Sequence, residues 1–307
     1  MIKDIKKTYF SPSMMIKKYA AIDIGSNAMR LLIMIVVDTD GKPVFIKDTY
    51  LRLPVRLGGD AFDKGKISEE NISDLLDGIK SFKHILKINK VDHFKAYATS
   101  AMRTAINGID IIKRIGALTG VEIEIISGKL EAEVIKKGGG EFEEIYSNKV
   151  KVYVDVGGGS TEISIEKNEE VISESFNIGT IRLLHNQVPD ILWKDMKNWI
   201  KRNLYDTSDA IVVGSGGNIN KVLKIFHANR AKPLTNEQLN EFYNYIKSMN
   251  VIDRMKEFRL KSDRADVIEP ATRIFVRIMK WSEAQVIHIP KIGLSDGIIK
   301  QMYLDSK

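Results

Sequence analysis

Two aspartates stand where an apolar run gives way to glycine. Asp23 ends Tyr19-Ala-Ala-Ile-Asp23 and leads into Ile24-Gly25-Ser26-Asn27, and Asp155 ends Val152-Tyr-Val-Asp155 and leads into Val156-Gly157-Gly158-Gly159-Ser160-Thr161-Glu162. Glycine weakens a sheet, so three in succession between apolar runs make sense where backbone amides must approach a ligand closely. Phosphate is the ligand that such amides and hydroxyls grip best. Two more glycine turns follow apolar runs, Gly214-Ser215-Gly216-Gly217 and Gly293-Leu-Ser-Asp-Gly297. Together the four turns predict a phosphate clamp, with a metal held by Asp23 and Asp155. Mg2+ (or Mn2+) suits that donor set, because a hard ion takes few carboxylates and fills its remaining sites with phosphate oxygens and water. Neither the Gly-x-x-x-x-Gly-Lys-Ser/Thr loop nor a Gly-x-Gly-x-x-Gly strand–turn–helix is present, which excludes the common nucleotide fingerprints.

The elements that would position these turns repeat along the chain. An apolar strand over 18–23 is followed by strands over 29–37 and 43–50, with the turn Asp38-Thr-Asp-Gly41 between the last two. Ser68 is an N-cap ahead of a helix whose Ile72, Leu75, Leu76, Ile79, Phe82, Ile85 and Leu86 recur at helical spacing. A strand over 94–99, a helix over 106–118, a strand over 121–126 and a short helix over 129–137 complete the first half. After Gly138-Gly-Gly140 the pattern restarts, with strands over 149–156, 161–166 and 171–176, a helix over 191–204 and a strand over 209–213. A helix capped by Thr235, another over 267–281, a strand over 285–289 and a closing helix follow. This is an α/β chain of two domains, 1–138 and 139–307, with residues 1–17 a basic arm and the last helix free to pack back on the first domain.

Composition narrows the function classes. Cysteine is absent, which excludes a disulfide framework, a thiolate zinc site and a cysteine nucleophile, and suits a cytoplasmic protein. The five histidines show no ligand spacing, and no apolar run is long enough to span a membrane. The net charge of +7 favours an anionic partner, but it is diffuse and lacks aromatic interleaving, which argues against nucleic acid. Apolar surface on the C-terminal helices allows a homodimer.

Asp23-Ile-Gly-Ser-Asn27, Asp155-Val-Gly-Gly-Gly-Ser-Thr-Glu162, Gly214-Ser-Gly216 and Leu294-Ser-Asp-Gly297 resemble the motifs of the exopolyphosphatase / guanosine pentaphosphate phosphohydrolase family. Thr99-Ser-Ala-Met-Arg103 and Ile123-Glu-Ile-Ile-Ser-Gly128-Lys-Leu-Glu131 fit the same family, in the same order. The resemblance implies two actin-like (ribonuclease H-like) domains, each a mixed five-stranded sheet flanked by helices, with the active site in the cleft between them. It implies release of terminal phosphate from inorganic polyphosphate, short chains included, or from guanosine pentaphosphate, with Glu131 as the base and Glu162 as a second cleft acid. Thr99, Arg103 and the residues of the glycine turns would bind phosphate. A phosphotransferase of the same superfamily, and a regulatory module binding polyphosphate or guanosine tetraphosphate, are the alternatives.

Three departures stand out. Ala28 replaces a serine of the first motif. Glu133 follows Glu131 where the family has arginine, an added carboxylate expected to raise the Glu131 pKa. The chain ends soon after Gly297, as in a short, two-domain form.

Overall fold

The structure is a computed structural model, and it describes residues 15–138, 149–168, 170–207, 210–227 and 232–307. The arm over residues 1–14 and the expected junction at Gly139-Gly140 lie outside these residues, as does Asp209, where a strand was expected to begin. Met15, Ile16 and Lys17, read as the end of the arm, instead open the first strand.

The first sheet has the order β3-β2-β1-β4-β5, from β1 (Met15–Ile24), β2 (Met29–Thr39), β3 (Lys42–Leu53), β4 (His93–Ala98) and β5 (Ile123–Ile125). β1 runs antiparallel to β2 and parallel to β4. Its apolar run is continuous because both faces are covered. Ala20, Ile22 and Ile24 face one core with α2 (Glu69–Ile88) and α4 (Gly108–Thr119), while Tyr19 and Ala21 face another. That second face is closed by α5 (Gly128–Lys137) and by the last helix of the chain, α13 (Leu294–Asp305), through Leu294, Ile298, Ile299, Met302 and Tyr303.

The second sheet repeats this layout. β6 (Lys151–Val156), β7 (Thr161–Lys167) and β8 (Glu170–Phe176) form an antiparallel meander, and β9 (Ile211–Ser215) and β11 (Val286–His288) extend it in parallel. A two-residue strand, β10 (Leu234–Thr235), adds a sixth member antiparallel to β11, so the expected five-stranded sheet has six strands. Around it lie α6 (Thr180–Leu184), α7 (Asp190–Asn203), α8 (Gly217–Phe226), α9 (Asn236–Ile246), α10 (Val251–Phe258), α11 (Ser262–Ala265) and α12 (Ile268–Ser282). In the first half, α1 (Leu57–Asp63), packed against the glycine turns, and α3 (Ser100–Thr104), at the cleft, are short helices that periodicity did not reveal.

The halves are held together by specific contacts. Ile181 and Val267 from the second half enter the core of the first. Arg52 pairs with Asp263, Arg56 with Asp266 at 2.6 Å, and the Asn27 side chain donates to the Asp263 carbonyl at 3.0 Å. Under α5, Glu166 of β7 receives Lys136 of α5 and Lys151 of β6, each at 2.9 Å. Lys151 is only 2% exposed, so Glu166 is what allows that charge to be buried.

Candidate active site

Each cleft aspartate is the penultimate residue of its central strand, and the glycine turn that follows brings the chain back on the neighbouring strand. Gly25 N–H donates to the Ala28 carbonyl at 3.1 Å, and Gly157 N–H donates to the Ser160 carbonyl at 2.9 Å, so both turns close in the same way. Register then sets the partners. Asp23 lies across from Arg30, whose Nη1 is 2.5 Å from its Oδ2, while Asp155 lies across from Glu162. Ser215, beside Asp155 on β9, donates its hydroxyl to Asp155 Oδ1.

The two turns meet. A Cβ on Gly158 would lie 2.8 Å from Ser26 Cβ and 3.2 Å from the Asn27 amide nitrogen. A Cβ on Gly159 would lie 2.3 Å from both the Phe62 ring and the Ser100 hydroxyl. The glycines are therefore required by the approach of one half to the other, as well as by any ligand. Arg182 braces this contact: its Nε donates to the Gly159 carbonyl at 2.8 Å, its Nη2 to Thr104 Oγ1 at 3.1 Å, and its guanidinium lies 4.0 Å from the centre of the Phe62 ring.

A cleft of about 560 Å³ opens beside the turns. Of the residues expected at the site, Asp23, Gly25, Ser26, Asn27, Thr99, Glu131, Asp155, Gly157, Gly158, Gly159, Ser160 and Gly216 line it. The others are placed differently. Thr161 is wholly buried and donates to the Ile178 carbonyl at 2.6 Å. Gly214 lies in β9 against Ile287 and Phe275, and Ser215 is buried behind Asp155. Glu162 sits beneath the cleft floor, 2% exposed, with Ser175 donating to its Oε1 at 2.9 Å. Arg103 Nη1 donates to the Ile126 carbonyl at 2.6 Å and lies 3.6 Å from Glu131 Oε2.

Glu131 is in the first turn of α5, which Ser127 caps by accepting from the Leu130 amide. The helix terminus favours a carboxylate there, but burial opposes it, since the residue is 7% exposed. Burial, and then the nearby Glu162, push the Glu131 carboxyl well above its usual range, with Arg103 holding it back. Burial raises Glu162 to about 7, with Asp155 adding to the effect and the Ser160 and Ser175 hydroxyls opposing it. Burial likewise raises Asp155. Glu131 Oε2 and Glu162 Oε2 are both buried without a hydrogen-bond partner. The expected influence of Glu133 is replaced by these causes: Glu133 is exposed, and the acids acting on Glu131 are Glu162, Asp23 and Asp155. Ala28 is wholly buried beneath the first turn and does not face the cleft.

Sequence reasoning missed a second set of cleft residues, among them Lys47, Arg52, Ser100, Lys221, Arg264 and Lys291. Ser100 adjoins a motif residue, Thr99, and its buried hydroxyl is without a partner. The basic residues carry no such signal, being scattered over β3, α8, α11 and the loop before α13.

The Ppx/GppA phosphatase family model matches residues 36–306. The chain belongs to the Ppx/GppA phosphatase family. Its relatives within and around that family include exopolyphosphatase 1 of Mycobacterium tuberculosis, 26% identical over 94% of this chain and 89% of the relative. The bifunctional 3-dehydroquinate synthase/phosphatase of Fusobacterium nucleatum is 28% identical over 85% of this chain, which spans 43% of that larger protein. The guanosine-5'-triphosphate,3'-diphosphate pyrophosphatase of Vibrio parahaemolyticus is 24% identical over 92% of this chain and 59% of its own length. Among solved structures, the Aquifex aeolicus member of the Ppx/GppA family superposes with a TM-score of 0.74 at 25% identity, over 95% of this chain and 99% of that one. For this Ppx/GppA chain the two repeated sheets are thus a family architecture.

Proposed function

We propose that this Ppx/GppA chain is a phosphoanhydride hydrolase that releases terminal phosphate from inorganic polyphosphate or guanosine pentaphosphate, with Glu131 as the base. The observation that carries this reading is Glu131 itself, a buried carboxylate lining the cleft of the glycine turns, with one oxygen left without a hydrogen-bond partner. Such an oxygen is available to take a proton from water, and the raised pKa makes its ionised form a stronger base. The named activities of the mycobacterial and Vibrio relatives support the substrate class.

In this reading the terminal phosphate rests on the amides of Gly25 to Asn27 and of Gly157 to Ser160. Glu131 orients and deprotonates the attacking water, and Arg103, beside Glu131, limits how far that carboxyl is pushed toward its neutral form. Glu162 lies below and exchanges charge with Glu131, so the pair need not carry two full negative charges together.

The donor set fits a hard divalent cation held in the manner of magnesium. Asp155 offers a carboxylate oxygen to the cleft, and Glu131 is left free as the base. Asp23 is already committed to Arg30, and no cluster of three or more acidic or histidine side chains forms a cage among the described residues. An ion here would thus depend on phosphate and water for most of its ligands. When bound, Mg2+ or Mn2+ would neutralise phosphate charge and polarise the P–O bonds of the phosphorus under attack. A cytoplasmic setting and a homodimer complete the reading; no helix among the described residues is long and apolar enough to cross a membrane.

The test is a phosphate-release assay comparing tripolyphosphate, long polyphosphate and guanosine pentaphosphate, with magnesium or manganese. Metal-dependent release from at least one of them is expected. Transfer of phosphate to an added acceptor, with no release to water, would replace this reading with a phosphotransferase.

A further inference from the structure

Register lines up four side chains across the second sheet. Ser215 of β9 is paired with Asp155 of β6, Asp155 with Glu162 of β7, and Glu162 with Ser175 of β8. Residues paired directly across adjacent strands share a face of the sheet, so the row runs hydroxyl, acid, acid, hydroxyl. Each acid takes a hydrogen bond from the serine on its outer side. Ser215 donates to Asp155 Oδ1, and Ser175 Oγ donates to Glu162 Oε1 at 2.9 Å. Glu162 Oε2 is left buried without a partner.

Ser175 also touches the helix that carries Glu131. Gly128 is the first residue of α5, one turn before Glu131 and on the same side of that helix. A Cβ on Gly128 would lie 2.2 Å from Ser175 Oγ and 2.4 Å from Ser175 Cβ, with Arg103 Nη2 at 3.5 Å. Glycine is thus what lets the start of α5 close over β8. Ser175 is confined between that backbone and the Glu162 carboxylate.

Behind Glu162 lies a second, small cavity of about 10 Å³, lined in part by Ala132, Ile135, Ser164 and Ser215. It gives the carboxylate space into which to turn if nothing holds it.

We infer that Ser175 is a positioning residue, which keys the Glu162 carboxylate to the start of α5 and so to Glu131. This rests on the hydrolase reading for the work that the two acids do. Ser175 does not line the cleft, so its effect on turnover passes through Glu162. A hydroxyl donating to a carboxylate makes a charge-assisted bond, stronger than one between neutral groups, and here it selects one of the two oxygens. With Oε1 held, the plane of the carboxylate is set. A misplacement on the order of 1 Å in a reacting constellation costs about 10²-fold in rate.

The experiment compares Ser175→Ala with Ser173→Ala. Ser173 lies two residues away on the same strand, and its hydroxyl shares a hydrogen bond with Ser164 at 2.8 Å instead of with an acid. The two variants thus each lose one hydroxyl from the same sheet. Both kcat and KM are measured on whichever of tripolyphosphate, long polyphosphate and guanosine pentaphosphate the wild type hydrolyses fastest. Ser175→Ala is expected to lower kcat about tenfold with KM changed less than about twofold, and Ser173→Ala to leave both within about twofold. Falls of similar size in the two variants, or no fall in Ser175→Ala, would overturn the role.

Crystal structures of the wild type and of both variants decide the question without turnover. In Ser175→Ala the Glu162 carboxylate should turn from its wild-type position toward the small cavity, while in Ser173→Ala it should stay. A carboxylate that does not move in Ser175→Ala would overturn the positioning. If the wild type releases phosphate from none of the three substrates, the hydrolase reading fails on its own, and the crystal structures still decide the part played by Ser175.

Discussion

Arg30 and Glu162 hold the same register position in the two sheets, each directly across from the aspartate that ends its central strand. The repeated layout therefore places a guanidinium against Asp23 in one half and a second acid against Asp155 in the other. Asp23 and Arg30 form a fixed ion pair, and the Asp23 carboxylate raises the Arg30 pKa despite the burial that opposes it. The other half gathers acids whose protons burial holds on more tightly. The same register position thus carries a neutralising cation on one side of the cleft and a second buried acid on the other.

Replacing Glu131 by glutamine keeps the side chain's size and removes its basicity. Turnover is expected to fall by about 10³-fold, within the range for loss of a general base. Calorimetric affinity for polyphosphate should be retained. Wild-type phosphate release by Glu131→Gln would remove Glu131 from the reaction.

Glu162→Gln tests the link between the two acids. Burial is the main reason that Glu131 is raised, and the Glu162 charge is the next. Removing that charge lets Glu131 lose its proton at lower pH, so the acidic limb of the kcat/KM profile should move to lower pH. A limb that stays in place, with turnover still measurable, would show that the two carboxyls act independently.

The contact between the halves can be probed at Gly159. A methyl group there meets the Phe62 ring and the Ser100 hydroxyl, so Gly159→Ala is expected to cost about 1–3 kcal/mol in a denaturant titration. Phe62→Leu in the same protein should recover part of that loss by making room. Gly293→Ala is the comparison, since nothing lies within 4 Å of its Cβ position, and its effect on stability should stay within about 0.5 kcal/mol.

These contrasts mark what could be read from the chain alone. The Asp23 and Asp155 turns were visible because glycines between apolar strands are costly and so informative. Glu131 was found only through a resemblance, because a glutamate early in a short helix looks like any exposed one until α5 is laid over the second sheet. The basic cleft residues Lys221 and Arg264 were hidden, since they belong to separate helices that only the fold brings to one cleft. Thr161, Gly214 and Ser215 share a motif with cleft residues but alternate inward or fall behind the strand ends, which motif matching cannot resolve. A two-residue strand such as Leu234–Thr235 is too short for any periodicity, and only its pairing with β11 defines it.

Glu166 offers a stability test with a defined pH dependence. Burial opposes its charge, but Lys136 and Lys151 prevail and hold its pKa below the usual carboxylate range. Its contribution is therefore fully present above that range and is lost as pH falls through the lowered value. Glu166→Gln should destabilise the protein by about 3 kcal/mol at pH 7, because Lys151 is left buried without its partner. The gap between wild type and variant should narrow steadily at acidic pH in thermal melts, and a gap independent of pH would dissociate the Lys136–Glu166–Lys151 contact from titration of Glu166.

The closing helix α13 has a consequence for how the chain is made. It covers the face of the first sheet formed by Tyr19, Ala21, Leu32, Met34 and Val36, residues synthesised long before it. During vectorial translation that face stays open to water, or to a chaperone, until residues 294–305 have cleared the ribosomal exit tunnel. The N-terminal half therefore completes its core only after the second half has been synthesised.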